Sequence, residues 1–175
     1  VLFMPRISFQ TEKDLEDLVF KMLSNCDERI SSIVPPYKHV TRQMNMDSYG
    51  IADIVTFSGC VNADGDIEFV AATVIELKNT EITKEALFQA LRYKTFLLKH
   101  VNLIDEVSIV LIGTSINKSS EIVFAENLGD VTLITFDMDE NGIKFKHEHG
   151  YERVNVSEKI IDSIDMQLRE LIKNV

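Results

Sequence analysis

Three ionisable residues stand where apolar ones would be expected. Asp53 interrupts the stretch Ile51 to Gly59, Glu76 interrupts Ile67 to Leu77, and Lys78 follows two residues later. Both stretches are rich in β-formers, and Asn62-Ala63-Asp64-Gly65-Asp66 separates them. Asp64-Gly65 is a strong signal for a two-residue hairpin turn. Pairing outward from that turn sets Asp53 directly opposite Glu76 on one face, with Cβ atoms ~5 Å apart. Lys78 projects from the same face, whereas Leu77 points away. Two carboxylates so close are costly, and one is driven to bind a proton unless a cation lies between them. A hard divalent ion, Mg²⁺ or Mn²⁺, resolves the repulsion, because such ions take one or two carboxylates, water and phosphate oxygens. An ion held there would polarise a phosphoryl oxygen and acidify the water that becomes the nucleophile. Lys78 would orient that water or neutralise charge growing on the phosphate. The set suits phosphodiester hydrolysis. The competing interpretation is a structural ion pair inside a central sheet, but three ionisable groups in apolar strands are costly to keep for structure alone.

These residues need strands and helices to hold them. Thr11 is positioned to cap a first helix, with Asp14 as its capping-box partner, and Leu15, Leu18, Val19, Met22 and Leu23 recur at helical spacing. Pro35-Pro36 ends the following loop, and Tyr37 to Met46 reads as a first strand leading into the hairpin. Both hairpin strands are apolar on two faces, as central strands covered on both sides are. Thr83 starts a second helix reaching about Lys99, with Leu87, Ala90, Leu91 and Lys94 along one stripe. Val107 to Gly113 and Val131 to Phe136 read as strands, Ile143 to Glu148 as a strand beyond the Asn141-Gly142 turn, and residues 116–128 fit neither pattern. Ser157 to Ile172 reads as an amphipathic helix, in which Ile160, Ile161, Ile164, Leu168, Leu171 and Ile172 close the core or form a dimer contact. The expected class is α/β (α+β mixed), a central mixed sheet flanked by helices. One domain spans residues 1–175, with a core of about 11–137 and a C-terminal hairpin and helix over 138–175.

Asp53, then Val74-Ile75-Glu76-Leu77-Lys78, then Gln89-Ala90-Leu91-Arg92-Tyr93 resembles the PD-(D/E)XK nuclease superfamily, with its D, ExK and QxxxY motifs in order. The wording is especially similar to the nuclease modules of type I restriction motor subunits and to NucS-like nucleases. The resemblance implies a restriction-endonuclease-like αβββαβ core and a Mg²⁺- or Mn²⁺-dependent nuclease acting on DNA. It implies Asp53 and Glu76 as metal ligands together with the main-chain carbonyl of Leu77, and Lys78 as the catalytic lysine. Glu16 resembles the additional carboxylate many members use, with Glu12 and Asp17 as alternatives. Gln89 and Tyr93 share a helical face and, by resemblance, support the site and contact DNA or the lysine. Ala52 stands where the motif's proline would be. A non-catalytic nucleic-acid- or protein-binding module of the same fold, and an acidic interaction protein, are the competing functions.

The balance of 18 Lys and Arg against 28 Asp and Glu leaves −10, which argues against non-specific nucleic-acid binding over the whole surface. The charge is uneven: residues 77–100 hold five basic residues against two acidic ones, whereas residues 101–175 are strongly acidic. A local basic groove of Lys78, Lys84, Arg92 and Lys94 is therefore the expected DNA contact. A protein partner or a homodimer would supply further affinity. No apolar run is long enough to span a bilayer, Val1 to Pro5 lacks the features of a signal peptide, and Cys26 and Cys60 form no paired motif. A cytoplasmic protein without a membrane partner is expected. His147 and His149 would share a strand face but lack further ligands, Asp137, Asp139 and Glu140 read as a solvated acidic turn, and no phosphate-loop glycine pattern occurs.

Overall fold

A computed structural model of the chain describes residues 8–129 and 131–148. His149 and the predicted helix Ser157 to Ile172 lie outside these residues. The first helix, α1 (Glu12–Ser24), begins as its sequence requires. Asp14 N–H donates to Thr11 Oγ1 at 3.1 Å and Thr11 N–H to an Asp14 carboxylate oxygen at 3.0 Å, a reciprocal pair that caps the helix. Leu15, Val19, Met22 and Leu23 are buried along one side of α1, and a short helix, α2 (Glu28–Ser31), follows.

Strands β1 (His39–Asn45), β2 (Ile51–Val61) and β3 (Ile67–Leu77) form the expected antiparallel meander, with a 3₁₀ turn over Asp47–Tyr49 between the first two. Helix α3 (Lys84–His100) crosses from β3 to β5 (Glu106–Gly113), which lies parallel to β3. Helix α4 (Ser120–Asn127) then leads to β7 (Val131–Asp139), parallel to β5, and β8 (Gly142–His147) returns antiparallel to it. The strands form one six-stranded mixed sheet in the order β1-β2-β3-β5-β7-β8. Two short strands, β4 (Glu81–Ile82) and β6 (Ser115–Ile116), pair separately in parallel. Parallel neighbours need long crossovers, and α3 and α4 provide them. Ile54, Ile75, Val110 and Ile112 join α1 in one buried cluster, and Val55, Val74, Ile109 and Leu111 join α3 in another. Successive strand residues feed opposite faces, so the continuous apolar runs are those of strands covered on two sides. No described helix is long and apolar enough to cross a membrane.

Four local expectations are corrected. The hairpin loop holds three residues, not two. Asn62 Oδ1 accepts from Asp64 N–H and Asp66 N–H at 3.0 and 2.9 Å, while Gly65 takes φ +86° and its N–H bonds the Asn62 carbonyl. The Asn62 side chain thus organises a wider loop than the Asp-Gly pair alone would form. Val61 pairs with Ile67 but Cys60 with Phe69, so Glu68 is an extra residue, a β-bulge. The bulge offsets the third loop residue, and the register from Cys60 to Ile54 is the one the sequence predicts. Thr83 does precede α3 but makes no side-chain cap bond, and the buried stripe of α3 is Ala86, Leu87, Ala90, Tyr93 and Leu97, with Lys94 half-buried. Residues 116–128, which carry no clear period, contain the end of β6 and the helix α4. The strand expected over Val131 to Phe136 runs three residues further, so that β7 ends at Asp139.

Candidate active site

The site forms where β2 and β3 stop pairing through their backbones. Their paired residues extend up the hairpin to Ile54 and Ile75. One residue further on, the backbone N–H of Leu77 donates to Asp53 Oδ2 at 2.9 Å. On its other side β3 continues with β5: Glu76 and Leu77 pair with Leu111 and Ile112, and Lys78 N–H donates to the Ile112 carbonyl. Asp53 and Glu76 therefore lie one level beyond the last matched pair of the hairpin, where one strand pair ends and the other continues.

Glu76 is 1% exposed, which makes its hydrogen bonds decisive. Its Oε1 lies 3.2 Å from Lys78 Nζ, whereas its buried Oε2 has no hydrogen-bond partner. A buried acceptor left unsatisfied costs about 1–3 kcal/mol, and more when it carries charge. Burial, reinforced by Asp53, pushes the Glu76 carboxyl up to about 8 despite the opposing pull of Lys78. Burial likewise pushes Asp53 up to about 6, against the Leu77 amide and Lys78, with Glu16 and Glu12 adding to the rise. For Lys78, burial acts downward, but Glu76 and Glu12 together outweigh it and the ammonium is held above its usual range. A proton bound by Glu76, or a cation close to both groups, relieves the repulsion between the two carboxylates.

Residues at a distance from the pair complete the surroundings. Glu12 Oε1 lies 3.6 Å from Lys78 Nζ, so the lysine bridges α1 and β3. Glu16 is buried as well, but its carboxylate is engaged elsewhere: Arg42 Nε donates to Oε1 at 2.9 Å and Gln43 Nε2 to Oε2 at 2.7 Å. Asp17, exposed, lies 2.5 Å from the same Arg42 guanidinium. Among the described residues, no three His, Cys, Asp or Glu side chains gather as a metal cluster. The carboxylates brought together in one constellation are thus Asp53 and Glu76, with the Leu77 amide bonded to Asp53. Lys78 stands beside them and Glu16 stands apart.

Gln89 and Tyr93 meet as their spacing predicts. Gln89 Nε2 donates to the Tyr93 hydroxyl at 2.8 Å, and that hydroxyl donates to the Ile51 carbonyl at 2.8 Å, two residues before Asp53. Gly50 makes this possible: at φ +115°, a Cβ there would lie 3.1 Å from the Tyr93 hydroxyl. Burial, only partly opposed by Gln89, raises the Tyr93 hydroxyl, which favours its neutral, donating form. Tyr93 thereby fixes the start of β2 to α3. Of the other α3 residues, Lys84 and Arg92 are exposed, and Arg92 donates to the Ser48 carbonyl at 3.4 Å. A cleft of about 330 Å³ opens one residue past Lys78, walled in part by Asn79, Thr114, Thr135, Lys144 and Lys146. Its lysines face Asp139 at 2.6 Å and Glu148 at 3.5 Å, so it offers little net positive charge.

Sequence reasoning missed Arg42 and Gln43. Nothing in their residue types marks them as partners of a helix 26 residues away. It also offered Glu12 only as an alternative to Glu16, because the rotation of α1 about its axis is not written in its spacing.

Two solved structures resemble this fold. The structure of an EndoMS–dsDNA2 complex matches with a TM-score of 0.50 at 20% identity, over 79% of this chain and 49% of that one. A crystal structure of a repair endonuclease from Pyrococcus abyssi matches with a TM-score of 0.46 at 20% identity, over 73% and 47%. The chain spans about half the length of each. No family model and no curated protein matches the sequence. The chain has a mixed α/β, endonuclease-like fold: a six-stranded mixed sheet with helices.

Proposed function

We propose that the chain is a nuclease module that hydrolyses DNA phosphodiester bonds with the help of a divalent metal, Mg²⁺ or Mn²⁺. The observation that carries this reading is Glu76, a carboxylate almost wholly buried, with one oxygen unpartnered beside Asp53 and Lys78. The donor set fits a hard cation: Asp53 and Glu76 would hold it, and Leu77 would add its main-chain carbonyl. Such an ion, when bound, polarises a phosphoryl oxygen and makes a water more acidic. The chain's own residues do the rest. Asp53 is oriented by the Leu77 amide, and Lys78, kept protonated by Glu76 and Glu12, stabilises charge developing on the phosphate. Tyr93 and Gln89 hold the β2 end that carries Asp53. Lys84, Arg92 and Lys94 on α3, together with Lys78, would contact the DNA backbone, and a partner or second copy would add affinity to this weakly basic strip. The similarly folded EndoMS–dsDNA2 complex supports DNA as the substrate class.

The test is cleavage of plasmid, linear duplex and single-stranded DNA by the purified protein with Mn²⁺. Wild type is expected to nick or degrade at least one of them. Asp53→Ala and Lys78→Ala are expected to abolish cleavage with circular dichroism unchanged. Activity surviving either substitution overturns the site assignment, and no cleavage of any substrate by wild type overturns the proposed function.

A further inference from the structure

Gln43 occupies the position in β1 that faces Asp53. The β1–β2 pairing matches Arg42 with Ile54 and Met44 with Ala52, and between those pairs Gln43 takes φ +51°. Few non-glycine residues keep such a left-handed backbone, and those that do concentrate at functional sites. The conformation has a visible consequence. Consecutive residues of a regular strand point to opposite faces, yet Arg42 and Gln43 both reach the same buried carboxylate. Gln43 Nε2 bonds Glu16 Oε2 at 2.7 Å, and Arg42 bonds Glu16 Oε1 through Nε at 2.9 Å, with its terminal nitrogen at 2.7 Å. Arg42 is itself fixed by Asp17 at 2.5 Å and by stacking over the Phe20 ring at 5.2 Å. The left-handed turn at Gln43 therefore brings two neighbouring donors onto one carboxylate of α1.

We propose that Gln43 is a positioning residue for the cation site: its backbone turns the strand so that the Glu16 carboxylate is held in place as an outer acidic group on the Asp53 side of β1. This inference rests on the reading of Asp53 and Glu76 as metal ligands. Both Glu16 oxygens are already engaged, so Glu16 supports the ion from outside its direct ligands, through water and charge. Glu16 is among the charges that act on Asp53, and outer partners of this kind typically change metal affinity about 10–100-fold when removed.

Gln43→Ala and Gln43→Gly separate the two roles. Both remove the amide that holds Glu16, but glycine accepts the left-handed backbone without strain, so Gln43→Gly should melt about 2–4 °C above Gln43→Ala. Mn²⁺ affinity measured by titration calorimetry on the metal-free protein should fall about tenfold or more in both variants alike, with Asp53→Ala as the control that loses binding. If both variants bind Mn²⁺ as wild type does, or if affinity follows melting temperature so that only Gln43→Ala is weakened, Gln43 has a structural role alone and the inference is overturned. If wild type itself binds no Mn²⁺, the metal reading beneath it falls, a result distinct from the other two.

Discussion

The two ends of the β2–β3 hairpin are built from the same residue alphabet and do opposite things. At the turn end Val61 and Ile67 face each other, each 62% exposed, a three-residue loop closes the chain, and Glu68 bulges out of the ladder. At the other end Glu76 is buried, Asp53 bonds the Leu77 amide, and the pairing is in register. A slip of one residue there would send Glu76 to the opposite face. The bulge lies between the two ends, so irregularity in the loop is absorbed before it reaches the carboxylates. The lesson is that a hairpin can carry a site if its register is set by packing near the site and not by its turn.

The largest effects should separate the two ends. Asp53→Asn or Lys78→Ala is expected to take Mn²⁺-dependent DNA cleavage below detection, a loss of at least about a hundredfold, whereas Ile67→Thr leaves the rate within about twofold. Comparable losses at both ends, measured in one nicking assay, would break the comparison.

The second effect is on stability. Burial, with Asp53 beside it, pushes the Glu76 carboxyl of the folded, metal-free protein up to about 8, above its ordinary 4.5. The folded state therefore holds a proton that the unfolded state has released, and this contribution is present below about pH 4.5 and lost as pH rises to 8. Asp53 acts in the same direction between about 4 and 6. Glu76→Gln removes the dependence at its own position. Its melting temperature should match wild type at pH 4 to 5 and exceed it at pH 9, by up to a few kcal/mol in stability. A difference between the two proteins that is independent of pH in thermal melts would contradict the buried-acid account.

Smaller effects mark the supports. Tyr93→Phe deletes the bond to Ile51 and leaves Gln89 without its partner, costing about 1 kcal/mol, or about 2–4 °C. Cleavage should fall with it, because the start of β2 is less firmly held. Gly65→Ala at the turn end places a side chain at φ +86° with open space around it. It should cost about 1 kcal/mol or less and leave cleavage unchanged. A melting and cleavage comparison of the two variants sharpens the distinction between a support of the site and a support of the fold.

Much of this arrangement was legible in the residues. Asp53, Glu76 and Lys78 stood out because ionisable groups rarely persist in apolar strands. The register from Cys60 to Ile54 agrees with the sequence although the loop is one residue longer than its Asp-Gly pair implies, because the bulge at Glu68 offsets the extra residue. Tyr93 and Gln89 were legible from helical spacing, but their target, the Ile51 carbonyl, was not, because it depends on how α3 crosses the sheet. The left-handed backbone of Gln43 has no signature in its residue type, so the clamp on Glu16 could only be seen in three dimensions. Residues 116–128 carry no clear period because they hold only the last residue of the two-residue strand β6 and the eight-residue helix α4, too few for either pattern to register.

The central claim is that Asp53 and Glu76, whose buried Oε2 has no hydrogen-bond partner, form a cation site. It is tested most directly by soaking crystals in Mn²⁺ and recording anomalous diffraction. The account predicts a peak bridging an Asp53 carboxylate oxygen and Glu76 Oε2, with Lys78 alongside. Well-ordered carboxylates with no peak between them, or a peak bound only elsewhere on the molecule, would contradict it.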